Sequence, residues 1–165
     1  MPPAELDRID RQILHELQRD GRLSNQELAQ RVALSPSPCL RRVRRLEEQG
    51  YIQKYMAVID AEKVGVGLLA YVTIRLNKMH RSTRGPLSDF ARDVQDWPQV
   101  VECHAMSGDM DYLLRIQVRN LAEFSRFAMD TLMQHPAVID MRSSFSMQRI
   151  KEGGAIQLPD VGGER

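Results

Sequence analysis

The apolar positions of the first sixty residues fall into three short helical stripes. Between Leu6 and Gln18, the residues Leu6, Ile9, Ile13, Leu14 and Leu17 recur at helical spacing, with Asp7, Arg8, Asp10, Arg11 and Glu16 on the other face. This predicts one amphipathic helix, closed near Asp20 and Gly21 by a glycine able to take the left-handed conformation. Ser24 with Glu27 three residues on is a capping box, in which each residue satisfies the other's unpaired amide. Leu28, Ala29 and Val32 give that second helix its buried face. After Ala33-Leu34, the run Ser35-Pro36-Ser37-Pro38 marks a third start, at Pro36 or Pro38, because a first helical position has no use for the amide that proline lacks. Leu40, Val43 and Leu46 form its apolar stripe and Gly50 ends it. Arg41, Arg42 and Arg45 are placed on the opposite side, with Ser37 or Pro38.

The pattern then changes period. Tyr51–Ile59 reads as a β-segment with Lys54 exposed, suited to a small wing. Asp60–Gly67, with two glycines and mixed charge, reads as a linker. Leu68–Leu76 is rich in β-branched and aromatic residues and predicts a strand, followed by a basic loop to Arg84. Leu87, Phe90, Ala91 and Val94 predict a helix after Pro86. A repeat follows: Trp97-Pro98-Gln99-Val100-Val101-Glu102 and His135-Pro136-Ala137-Val138-Ile139-Asp140 share Pro-x-Val-aliphatic-acidic after a helix. The strand-like Tyr112–Val118 and the stripe Leu121, Phe124, Phe127, Ala128, Leu132 precede the second copy, and Ser107-Gly108-Asp109 supplies a turn between the halves. The order β-α-β-β-α-β is that of a ferredoxin-like sandwich.

The expected fold class is therefore α+β: a winged helix-turn-helix over residues 1–60, a linker over 61–67, a ferredoxin-like domain over 68–152 and a tail over 153–165. Both registers of the first strand are apolar (Leu69, Tyr71 and Thr73 against Ala70, Val72 and Ile74), so both sheet faces call for burial. With helices on one face, a second subunit is the simplest cover for the other, and a homodimer through the sheet is expected.

Composition changes this picture little. The chain is 42% hydrophobic and 27% charged, which suits a folded globular protein, and no apolar run approaches the roughly 20 residues of a membrane span. Met1 to Asp10 has no apolar signal region, which makes the cytoplasm the expected compartment. Net charge is +1, with ten basic and nine acidic residues up to Asp60 and thirteen of each after it. Neither half is a polycation. The local feature is four arginines, Arg41, Arg42, Arg44 and Arg45, within five positions.

That cluster suits double-stranded DNA, since a third helix following a short turn can enter the major groove. Arginine forks pair with guanine or phosphate, and Ser35, Ser37 and free amides at the helix start can hold a phosphate. The expected DNA-binding set is Ser35, Ser37, Pro38, Arg41, Arg42, Arg45 and Lys54. The plainer alternative is a solvated arginine face paired with Glu47 and Glu48.

The stretches LDRIDRQILHELQRDGRLSN (6–25), LSPSPCLRRVRRLEEQGYI (34–52) and ECHAMSGDMDYLL (102–114) resemble the Lrp/AsnC family of prokaryotic transcription factors. The resemblance spans nearly the whole chain, and RSSFSMQRIKEGGAIQLP (142–159) is similar to the branch that includes regulators of branched-chain amino-acid catabolism. It implies dimers that assemble further into octamers or similar rings, with a small amino acid such as leucine, methionine or another apolar one held between dimers. On that basis Gly108, Asp109, Met110, Asp111 and Tyr112, with Met106 nearby, form the expected effector loop. Turn amides can take the carboxylate, an aspartate the ammonium, and apolar neighbours the side chain.

Cys39 and Cys103 lie far apart without a metal-ligand pattern and read as small buried hydrophobes. His15, His80, His104 and His135 share no ligand spacing. No catalytic motif occurs, so no enzyme activity, metal or cofactor is expected. The alternative function is an oligomeric amino-acid-binding module whose helical domain contacts protein rather than DNA.

Overall fold

The computed structural model describes residues 6–77, 79, 85–151 and 155–158. Most of the basic loop before Arg84, His80 and much of the tail lie outside the described residues. Two compact units are formed, one from the chain up to Val58 together with the chain from Lys151 on, the other from Ile59 to Ile150.

The first unit holds α1 (Arg8–Arg19), α2 (Asn25–Arg31) and α3 (Pro36–Glu48). Asp7 caps α1 in a capping box with Asp10, and Ser24 caps α2 with Glu27. Asp20, in an extended conformation, closes α1. Gly21 does not take the left-handed conformation expected of it, because the aspartate has already turned the chain. Gly50 does take it, with φ 76°, just past α3. Between α2 and α3 the tight turn forces Ala33 to φ 54°, and the Leu34 amide reaches the Ala29 carbonyl at 2.9 Å. The Asn25 side chain donates from Nδ2 to the Pro36 carbonyl at 2.8 Å, and Arg31 pairs with Glu16 at 3.0 Å, so α2 is fixed to both its neighbours.

Ile13, Leu14, Leu28, Ala29, Val32, Cys39 and Leu46 are the core of this unit. The buried stripe of α3 is thus Cys39, Val43 and Leu46; Leu40, expected inside, is 37% exposed. At about 100° per residue Leu40 stands a quarter-turn away from Cys39, which took the inner position. Residues 53–60 form no strand, since no ladder partner faces them among the described residues, and the expected β-segment over Tyr51–Ile59 is corrected accordingly.

In the second unit β1 (Leu68–Leu76), β2 (Val100–Ala105), β3 (Tyr112–Val118) and β4 (Val138–Phe145) form an antiparallel sheet in the order β2-β3-β1-β4. Helices α4 (Pro86–Asp93) and α5 (Leu121–Phe127) complete the ferredoxin-like order; α4 continues in a 3-10 turn and α5 in a π-helical turn to Leu132. Ala70, Val72, Ile74 and Leu76 of β1 and Tyr112, Leu114, Ile116 and Val118 of β3 share one core with Phe90, Phe124, Phe127 and Leu132. Phe90 stacks on Tyr112 at 4.9 Å and meets Trp97 and His135, the two matching residues of the repeat, edge to face.

The expected linker is a built turn: the Asp60 side chain accepts from the Glu62 and Lys63 amides, and Val66 N–H donates to Ala61 at 2.8 Å. On the side away from the helices, the sheet carries a buried Leu69, an exposed Tyr71 and half-buried Thr73 and Leu113, flanked by the ion pairs Arg75–Asp140 at 3.1 Å and Arg115–Glu102 at 3.3 Å.

Candidate nucleic-acid interface and effector loop

Of the two possible starts, α3 takes Pro36, with Ser35 as N-cap. The Ser35 side chain makes no capping bond, and Ser35 and Ser37 are both exposed, so the positive end of a thirteen-residue helix is open. Pro38 is half-buried on the flank of the helix.

The arginines divide. Arg42 Nη1 lies 2.6 Å from Asp7 Oδ2 and 2.9 Å from Asp10 Oδ1, and Arg45 Nη2 reaches Asp10 Oδ2 at 2.5 Å. Asp10 is 1% exposed, and its second oxygen also accepts from the Asp7 amide at 3.2 Å. Burial alone would raise the Asp7 carboxyl, but the Asp10 amide and the Arg42 guanidinium together hold it below its ordinary value. The same carboxylates push the Arg42 guanidinium further up. Arg42 and Arg45 therefore turn toward α1 and bind the third helix to the first. Counting about 100° per residue from Cys39, they stand on one flank, whereas Ser37, Arg41 and Arg44 lie within about 40° of the outward direction. Arg41 and Arg44 are exposed and form no ion pair among the described residues. Leu40 borders this patch and Glu48, one turn on, ends it.

The outward position of Arg44, the exposure of Leu40 and the Asp7–Asp10 clamp do not follow from the apolar spacing as read above. Placing Cys39 rather than Leu40 at the centre of the buried face would have found the first two. Aspartates three apart before an apolar helix are the signal for the third.

Lys54 is exposed beside Tyr55, whose hydroxyl donates to Glu47 Oε1 at 3.0 Å. Burial and the Glu47 carboxylate push that phenol up to about 12. The bond ties the chain after α3 back onto the helix, with Lys54 next to the anchor.

In the second unit, the loop between β2 and β3 turns at Gly108, whose φ of 116° suits only glycine. The Met106 amide donates to the Asp111 carbonyl at 2.9 Å and closes the turn. Met106, Gly108 and Asp109 are exposed and Met110 is half-buried. Asp111 is committed to the sheet: its amide donates to Ile74 O at 2.8 Å, and its Oδ2 accepts from Leu76 N–H at 2.7 Å. Tyr112 is buried, and its hydroxyl donates to the Leu87 carbonyl at 2.9 Å. Burial, then Cys103 and Asp111, raise its pKa. The loop thus divides into an open half, Met106 to Met110, and an anchored half, Asp111 and Tyr112.

Comparison with known proteins yields two family models. Residues 6–53 match a winged helix-turn-helix DNA-binding model, and residues 69–156 match the Lrp/AsnC ligand binding domain. The chain is similar to the leucine-responsive regulatory proteins of Escherichia coli and Klebsiella aerogenes, at 44% identity over 95% of this chain and 94% of each relative. A transcriptional regulator from Neisseria meningitidis, solved as its L-Met complex, superposes with TM-score 0.87 at 42% identity, over 93% of this chain and 97% of that one. An AsnC family transcriptional regulator from Agrobacterium tumefaciens superposes at TM-score 0.81 and 38% identity, over 93% and 96%. Among the described residues no helix is long and apolar enough to cross a membrane.

Proposed function

The chain belongs to the Lrp/AsnC family of transcriptional regulators, and on that premise we propose that it reads DNA through the outward face of α3 and senses an apolar amino acid at the open half of the Gly108 loop. The observation that carries the DNA-contact reading is the division of the arginines. Arg41 and Arg44 face outward with Ser35 and Ser37 while Arg42 and Arg45 are spent on Asp7 and Asp10. Arg41 and Arg44 contact base edges or phosphates, the open helix start takes a phosphate, and Leu40 suits a thymine methyl. Arg42, Arg45 and Pro38 act behind them by fixing the helix, and Lys54 adds a phosphate contact.

For the effector, the free amides of the turn take the carboxylate and Asp109, exposed where Asp111 is engaged, takes the ammonium. Met106 and Met110 border the apolar side chain. Methionine is the first candidate, because the Neisseria relative was solved with it, and leucine the second.

Two outward arginines per subunit bind DNA weakly, so specificity comes from recognition helices paired in a homo-oligomer. The open sheet face, with Tyr71 and Leu113 framed by ion pairs, supports a second copy as its cover and further pairing of dimers into an octamer or similar ring. The regulator acts in the cytoplasm on genes of amino-acid metabolism, without catalytic activity.

Retention of a preferred promoter fragment over random DNA at physiological salt tests the reading. A steep loss of affinity with salt marks phosphate neutralisation. Equal affinity for both DNAs refutes it. Methionine binding by calorimetry should be lost in Asp109→Asn and survive in a folded Asp111→Asn; the reverse moves the ammonium contact to Asp111.

A further inference from the structure

The chain after β4 serves neither the recognition helix nor the Gly108 loop, yet part of it belongs to the first unit. Gln18, in the last turn of α1, donates from Nε2 to the Ile156 carbonyl at 3.2 Å and accepts at Oε1 from the Ile156 amide at 2.7 Å. One side-chain amide therefore stands in for the peptide unit of a neighbouring strand and meets both polar groups of one backbone residue. The side-chain contact is supplied by Leu158, which packs on the apolar cluster of the unit and shares a cleft with Leu6, Leu14, Tyr51 and Ile52.

The same helix carries Asp7 and Asp10 at its other end. A single twelve-residue rod thus holds α3 at its start and residues 155–158 at its finish.

We propose that residues 155–158 are an intramolecular brace, with the α1 cleft as its docking surface and this chain's own segment as its occupant. The brace steadies α1 and, through Asp7 and Asp10, the pose of α3, so DNA affinity depends on a segment that never touches DNA. The occupant follows from continuity: the chain that leaves the first unit at Val58 re-enters it at Lys151, seven residues before Leu158. The dependence on DNA rests on the reading proposed above; the docking itself does not.

The test compares the full chain with Gln18→Ala and with a variant ending at Gly154, by hydrogen exchange of the α1 amides and by affinity for the preferred fragment. Losing the two hydrogen bonds, and in the shortened chain the Leu158 contact as well, should speed exchange at Leu14–Gln18 about five- to tenfold. DNA affinity should fall several-fold. A synthetic peptide of residues 151–160 should restore both in the shortened chain. Unchanged exchange in both variants overturns the brace whatever the DNA result, and faster exchange with unaltered affinity overturns its link to α3. Mixed heavy- and light-isotope chains that crosslink Gln18→Cys to Ile156→Cys only between copies would overturn the intramolecular assignment.

Discussion

The buried carboxylate of Asp10 in α1 lies 2.9 Å from the guanidinium of Arg42 in α3, and that pair determines which arginines are left to face outward. A carboxylate this deep is stable only when its oxygens are hydrogen-bonded and its charge is paired, and here Arg42 reaches Oδ1 while Arg45 and the Asp7 amide reach Oδ2.

Asp10→Ala should therefore destabilise the first unit by about 2 kcal/mol, because it removes the carboxylate paired with Arg45 and one of the two paired with Arg42, while Arg42 keeps Asp7 and both guanidinium groups keep some contact with water. Urea denaturation followed by a probe in the first unit measures this. Arg42→Ala should lower stability as well, so its effect on DNA binding is read only below the melting transition. An Asp10→Ala protein as stable as the parent would remove the clamp from the account.

Arg41→Ala and Arg44→Ala should behave in the opposite way. Each sits on the open face without an ion pair among the described residues, so stability should change by less than about 0.5 kcal/mol. Affinity for the preferred fragment should drop by about 1–3 kcal/mol for a base contact, or the salt slope should fall by about 1 for a phosphate contact. Titrations at several salt concentrations separate the two.

Ala33 holds φ 54° at the turn into α3, a conformation that costs an L-residue about 1–2 kcal/mol. Ala33→Gly should raise stability by up to about 1 kcal/mol, since relieved strain exceeds the extra entropy of the unfolded chain. A lower melting temperature would show that the methyl group makes a contact worth more than the strain.

Acid should loosen the clamp. Asp7 has a folded pKa below its ordinary 3.8, so its contribution is present above that value and is lost as pH falls through the folded one. Stability of the first unit should decline below about pH 4, and Asp7→Asn should flatten that decline. The side chain is half exposed, so screening keeps the effect small. Denaturation midpoints of both proteins at pH 3 and pH 6 provide the comparison.

Much of the fold was legible because period and punctuation agree. Leu68–Leu76 and Tyr112–Val118 are strands with the bounds their β-branched runs suggest, and Ser24–Glu27 caps α2 as its spacing requires. The repeated Pro-x-Val pattern marks the entries to β2 and β4. What the sequence conceals is partnership across distance. Nothing local tells that Arg42 and Arg45 answer carboxylates more than thirty residues earlier while Arg41 and Arg44 do not. The motif at Gly108 likewise hides that Asp111 serves the backbone of β1, because ligand and ladder make the same demand on a carboxylate. The π-helical turn at Ala128–Leu132 keeps its apolar stripe and so leaves no mark in the spacing.

The bond between Gln18 and Ile156 joins residues 138 positions apart. At about 5–20 residues per second, the ribosome delivers the second partner on the order of ten seconds after the first. Helix formation needs microseconds or less, so α1, α2 and α3 are made long before the segment that rests on them. A nascent chain therefore passes through a stage in which its DNA-reading helices exist without that contact.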